Sequence, residues 1–308
     1  MTYILKKFPN NPPPPTVEKA NGPYIYLKDG TKYLDATSGW SSYATLGFSH
    51  PKIIEAINKQ MSKFTHIDYN IWNNPMIEDL ANKITNYLTN GLDQIYFSGT
   101  SGSDSVESAM KLSYQIHHDN GKKNKKNYIS RIESFSGATL QGMSVSDLPP
   151  LKIFNPLMPS NVVRVSQHNP YTDCLYDSKT KSCECGKDST KCMGLLKNES
   201  IEKYIDRNIK EIEEAILNIG PDNLCAFVGE TQLGSLIGDI PAAKGYWEKI
   251  GLLAKKYDFH IILDEVYCGM GRSGKLFSYS WDNFSPDFVC IAKNNFTHEN
   301  LSIQFNKH

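Results

Sequence analysis

The 308-residue chain reads as an α/β protein: a mostly parallel sheet with helices on both faces. Two patterns predict this. From about residue 94 onward, short unbroken apolar runs alternate with amphipathic stretches, as strands covered on both faces and their crossover helices do. Before that point the chain shows a hairpin followed by two helices. Length adds a soft prior of about two domains and enough chain for a large core.

The elements follow in order. Residues 1–20 are proline-rich and predict an extended arm. Tyr24–Leu27 and Lys32–Asp35 flank Asp29-Gly30, a hairpin turn signal. Pro51 opens a helix that carries Ile53, Ile54, Ile57 and Met61 on one stripe. A second helix runs from about Pro75 to Leu88, with Met76, Leu80, Ile84 and Leu88 spaced by four. Gln94–Phe97 is a strand, and a Gly/Ser loop then leads into a helix from Ser103 to about His117. Further strands are expected at Tyr128–Arg131, Val162–Val165, Leu224–Val228, His260–Leu263 and Asp287–Ala292. Helices are expected over Ile201–Ile216 and Ala242–Tyr257. The predicted organisation is residues 1–60 as the N-terminal segment of a small domain, 61–293 as the large domain and 294–308 as an atypical tail.

Lysine plus arginine and aspartate plus glutamate both total 33, so the net charge is zero. That argues against nucleic-acid binding through a basic field, and 40% hydrophobic residues argue against disorder. No apolar run approaches the roughly 18 residues of a membrane span, and residues 1–15 lack a secretory apolar core. The expectation is a soluble protein of the cytosol that touches neither nucleic acid nor membrane, with the mitochondrion left open.

Cys225, Cys268 and Cys290 sit in apolar contexts and read as small buried hydrophobes. Cys174, Cys183, Cys185 and Cys192 lie in a polar stretch, 170–197, with C-x8-C-x-C-x6-C spacing. Zinc is one reading of that cluster. Paired C-x2-C knuckles are absent, so a polar surface insertion without metal is the reading preferred.

Ligands of open α/β sheets sit beyond the carboxyl ends of the strands. Three strands here end in ionisable residues: Glu230, Asp264-Glu265 and Lys293. Each alone reads as a solvated strand end. Together they bring two acids and a lysine to one edge, where desolvation can turn a lysine into a nucleophile. The loop Ser98-Gly-Thr-Ser-Gly-Ser-Asp-Ser105 stands between a strand and a helix. It suits a phosphate and equally suits a plain N-cap at Ser101 or Ser103. A phosphate site, an acid and a nucleophilic lysine are the needs of pyridoxal phosphate.

Longer motifs sharpen this. Leu263-Asp-Glu-Val-Tyr-Cys-Gly-Met-Gly-Arg-Ser-Gly-Lys-Leu-Phe277, then Ser285-Pro-Asp-Phe-Val-Cys-Ile-Ala-Lys293, resembles the class III (ω-amino-acid type) aminotransferases, fold-type I pyridoxal phosphate enzymes. Ser101–Glu107 resembles the family's phosphate loop, and Leu46–Pro51 an early family element. The resemblance spans about residues 20–293. It implies that Lys293 carries the Schiff base and shuttles the proton, and that Asp264 pairs with the pyridine nitrogen. Val266 and Phe135 cover the two ring faces, and Ser101, Gly102 and Ser103 hold the phosphate. Glu230 and Trp40 belong to the substrate pocket, while Arg272 is structural. It further implies an amino donor and an oxo acid as partners, and a homodimer. Departures are Phe135-Ser-Gly137, where the family has a histidine after the aromatic, and Tyr267 in place of a glutamine that contacts the ring hydroxyl. Beyond Lys293 the family's Gly-rich continuation is replaced by Asn294–His308, so the resemblance also implies an incomplete, smaller α+β domain beside the large one. The alternative function is therefore a catalytically inactive truncated form that keeps only the cofactor-site residues.

Overall fold

The computed structural model describes residues 11–39, 44–68, 71–88, 91–99, 101–171, 194–196, 198–234 and 237–293, and the backbone of 176–177, 182–183 and 303–306. The chain divides into two compact units, 1–72 and 73–308. In the first, β1 (Val17–Asn21), β2 (Tyr24–Leu27) and β3 (Lys32–Leu34) form an antiparallel sheet. Gly30 turns the expected hairpin with a φ of 87°, which favours glycine. Helix α1 (Pro51–Met61) follows, and its apolar stripe has no buried residue.

The second unit opens with α2 (Pro75–Thr85), capped by the Asn74 side chain on Met76 N. It ends three residues earlier than the apolar spacing predicts. There follow β4 (Gln94–Phe97), α3 (Gly102–Asp119), β5 (Asn127–Arg131), the short α4 (Leu140–Ser144) and β6 (Val162–Val165). Strands β7 (Tyr176–Asp177) and β8 (Ser182–Cys183) pair within the polar insertion. Cys174, Cys185 and Cys192 lie outside the described residues. The chain continues through α5 (Ile201–Ile219), β9 (Leu224–Glu230), α6 (Tyr246–Tyr257), β10 (His260–Asp264), β11 (Phe288–Ile291) and β12 (Ile303–Asn306). Helix α6 starts four residues later than the pattern predicts, because Gly245 adopts a left-handed N-cap with φ 91°.

Seven strands form one sheet in the order β4-β12-β11-β10-β9-β5-β6. The pairs among β11, β10, β9, β5 and β6 are parallel. Strand β12 comes from the segment read as an atypical tail, and it runs antiparallel to both β11 and β4. Both faces are covered. Val106, Ala109 and Met110 of α3 pack with Cys225, Val228, Ile262, Phe288 and Cys290. On the opposite face Ile205, Ile212 and Ile216 of α5 and Trp247, Ile250 and Leu253 of α6 pack with Phe227, Ile261, Leu263, Val289 and Ile291. This alternation along each strand is the period of two that a sheet imposes. Cys225, Cys268 and Cys290 are buried free thiols, as expected. Among the described residues, no helix is long and apolar enough to cross a membrane.

Candidate active site

The carboxyl ends of β9, β10 and β11 converge. In the parallel register Asp264 is the Cα partner of both Glu230 and Cys290, and Lys293 follows two residues after β11 ends. Asp264 and Glu230 are buried. Asp264 Oδ1 accepts from Val266 N at 3.0 Å. Burial raises the Asp264 pKa, while the Val266 amide, the Ser136 hydroxyl, Lys293 and Arg131 pull it down. Burial and the neighbouring Asp264 push Glu230 up to about 7, with Arg131 and the amides of Phe135 and Gly234 opposing. Those amides lie 3.2 Å from Glu230 Oε1 and 3.0 Å from Oε2 respectively. Burial lowers the Lys293 pKa against the attraction of Asp264 and then Glu230, and Lys293 Nζ stands 5.5 Å from the Tyr267 ring centroid.

Ser101 N-caps α3 in a full capping box with Asp104, so the plain-cap reading holds for its side chain. The same geometry leaves the first N–H groups of the helix, those of Gly102 and Ser103, without intrahelical acceptors. Gly102 packs against Val266, where a Cβ would lie 2.5 Å from Val266 Cγ1. Ser103 Oγ accepts from Ala138 N at 2.9 Å, which ties this loop to 135–138. Phe135 is 38% exposed. Trp40 lies outside the described residues.

The structure thus brings Lys293, Asp264, Glu230, Val266, Phe135 and the 101–103 loop into one linked set. Two neighbours of its acids, Ser136 and Arg131, escaped the sequence reading. Ser136 was visible only as part of a departure from a motif. Arg131 gave no signal, because an arginine at a strand end ordinarily meets water. The set fits a phosphorylated, positively charged ring: a buried acid stands beside a desolvated lysine, and free amides open a helix beside a glycine that allows no side chain.

The class-III aminotransferase profile matches residues 8–296, and the chain belongs to that family. An uncharacterized aminotransferase of Schizosaccharomyces pombe is 32% identical over 291 residues, covering 94% of this chain and 58% of that protein. Gamma aminobutyrate transaminase 2 of Solanum lycopersicum is 35% identical over 284 residues, covering 91% and 56%. The chain spans a little over half the length of the curated relatives it matches. Among solved structures, the omega transaminase from Pseudomonas jessenii in complex with PMP superposes with a TM-score of 0.80 at 28% identity, over 96% of this chain and 60% of that one. Pyridoxal phosphate is the cofactor of class III aminotransferases.

Proposed function

We propose that this chain binds pyridoxal phosphate and moves an amino group between a small-molecule amino donor and an oxo acid. The observation that carries this is the shared site of Lys293, Asp264 and Glu230 at the ends of three adjacent strands. When bound, the cofactor supplies a carbonyl carbon for the amine and a ring that accepts electrons. The remaining work belongs to the chain. Burial raises the neutral fraction of the Lys293 amine, so Nζ can attack and then take up or return a proton. Asp264, held by the Val266 amide, offers an oxygen to a protonated ring nitrogen. Gly102 and Ser103 present amides to the phosphate, and Val266 and Phe135 flank the ring. Glu230 faces the substrate with a proton affinity poised near neutrality.

The working assembly we propose is a homodimer in the cytosol. The compartment is supported by three buried thiols left unpaired. The dimer is supported by the exposed Ile153, Phe154 and Leu157 of the 3-10 segment Pro149–Leu157, and sedimentation measures it.

Soaking the protein in pyridoxal phosphate, reducing with borohydride and mapping peptides by mass should place the adduct on Lys293. An adduct elsewhere, or none, removes the cofactor assignment. An adduct on Lys293 with no turnover across a panel of amino donors and oxo acids removes the transfer and leaves binding alone.

A further inference from the structure

Arg131 ends β5 with a fully buried guanidinium. A buried charge is costly unless it is paired, yet among the described residues no carboxylate makes an ion pair with it. Nη2 donates to the backbone oxygen of Glu230, and Nη1 meets Nδ1 of His168. The guanidinium carbon lies 5.3 Å from the Trp247 ring centroid and 5.9 Å from that of Phe227. The side chain therefore crosses β9 beneath its carboxyl end.

The residue it crosses is Gly229. A Cβ there would stand 2.8 Å from Arg131 Nη2 and 3.1 Å from its Cζ. Gly229 is not among the glycines with positive φ, so backbone conformation does not call for glycine at this point. What calls for it is the guanidinium.

The ionisable groups that interact with Arg131 are Glu230 on β9, Asp264 on β10, His168 beyond β6 and Tyr246 on α6, and Lys293 beyond β11 faces the two acids. Burial and Arg131 itself keep His168 neutral, and burial keeps Tyr246 protonated. Lys293 is the group that reacts, so its charge is not constant. Arginine alone among these cannot lose its proton.

We propose that Arg131 is a positioning residue, a permanent buried cation that anchors the backbone oxygen of Glu230 at the carboxyl end of β9, and that Gly229 is the gap in β9 that lets it lie across that strand. This rests on the reading of Asp264 and Glu230 as the acids of a pyridoxal phosphate site, and its test needs no cofactor. Infrared difference titration of the cofactor-free protein reads the protonated-carboxyl band, with Glu230→Gln and Asp264→Asn assigning the two contributions. As the cation also pulls both acids down, Arg131→Met should raise both midpoints by about one pH unit, tenfold in proton affinity. Arg131→Lys should restore most of that, and Gly229→Ala should raise the midpoints by less than Arg131→Met. Midpoints unchanged in folded Arg131→Met overturn the proposal. If that variant does not fold, unchanged midpoints in Gly229→Ala do so instead. Failure to label Lys293 would sink the cofactor reading and leave this titration unaffected, so the two failures are separable.

Discussion

A β-carbon on Gly102 would stand 2.5 Å from Val266 Cγ1 and 2.7 Å from Cγ2. The first residue of α3 thus lies against a stiff, β-branched side chain two residues beyond the buried acid. Gly102→Ala must push the loop and Val266 apart. The expected result is at least a tenfold weaker affinity for pyridoxal phosphate, read by absorbance titration, with about 1–3 kcal/mol of lost stability from overpacking. Gly102→Ala combined with Val266→Ala should recover part of both. No recovery would mean that the clash is not the cause.

The carboxylate of Asp264 favours the charged form of Lys293, against the burial that lowers its pKa. Asp264→Asn should therefore move the Lys293 titration further down in pH in the cofactor-free protein. Carbon-13 reductive methylation followed by NMR reads that midpoint. An upward move would contradict the electrostatic account of the site.

At the other end of the sheet, the rings of His117 and His260 stack with centroids 4.0 Å apart. Ser113 Oγ lies 2.9 Å from His260 Nδ1, and His117 Nε2 lies 3.0 Å from the Cys225 carbonyl oxygen. Burial lowers both pKa values, that of His260 to about 3. A folded pKa below the unfolded one means that the unfolded chain takes up protons first, so stability from the neutral ring is present above about 6.5 and is lost as pH falls. For His260 the loss is about 2 kcal/mol by pH 5. Glu230 and Glu265, each raised to about 7, act in the opposite sense over the same range. The clean measurement is a difference: the cost of His260→Phe in urea unfolding should shrink by about that amount from pH 7 to pH 5. A constant cost would assign neutral-ring stability elsewhere.

Glu265 is buried and accepts from Ser278 N at 2.8 Å and Tyr279 N at 2.7 Å, holding the far end of the Gly269–Lys275 turn. Glu265→Ala leaves two buried amides without acceptors and should cost about 2–4 kcal/mol in urea unfolding. Glu265→Gln keeps one acceptor oxygen and should cost less. Equal costs would place the effect in packing rather than in the hydrogen bonds.

Much of this was legible in sequence because it is local or periodic. The apolar runs at Leu224–Val228 and His260–Leu263 declare strands covered on both faces, and the 3.6-residue spacing of Ile205, Ile212 and Ile216 declares α5. The spacing of Asp264 and Lys293 carried the site. What escaped depends on distant partners. Strand β12 exists because a slot stands open between β4 and β11, which no pattern within residues 303–306 can announce. Arg131 reads as a solvated strand end until Gly229, almost 100 positions away, is seen to admit it. The start of α6 hinges on the left-handed backbone of Gly245, and the apolar spacing runs past it without notice.

The slot filled by β12 has a mechanical meaning. Strand β4 hydrogen-bonds to β12 on one side and, among the described residues, has no other strand neighbour, and β4 leads on toward the start of α3. Residues 303–306 therefore act as a clasp, anchoring from the far end of the sequence the stretch of backbone that we propose holds a phosphate. Cutting the chain after Lys293 would spare every proposed reactive group and still let that grip go slack.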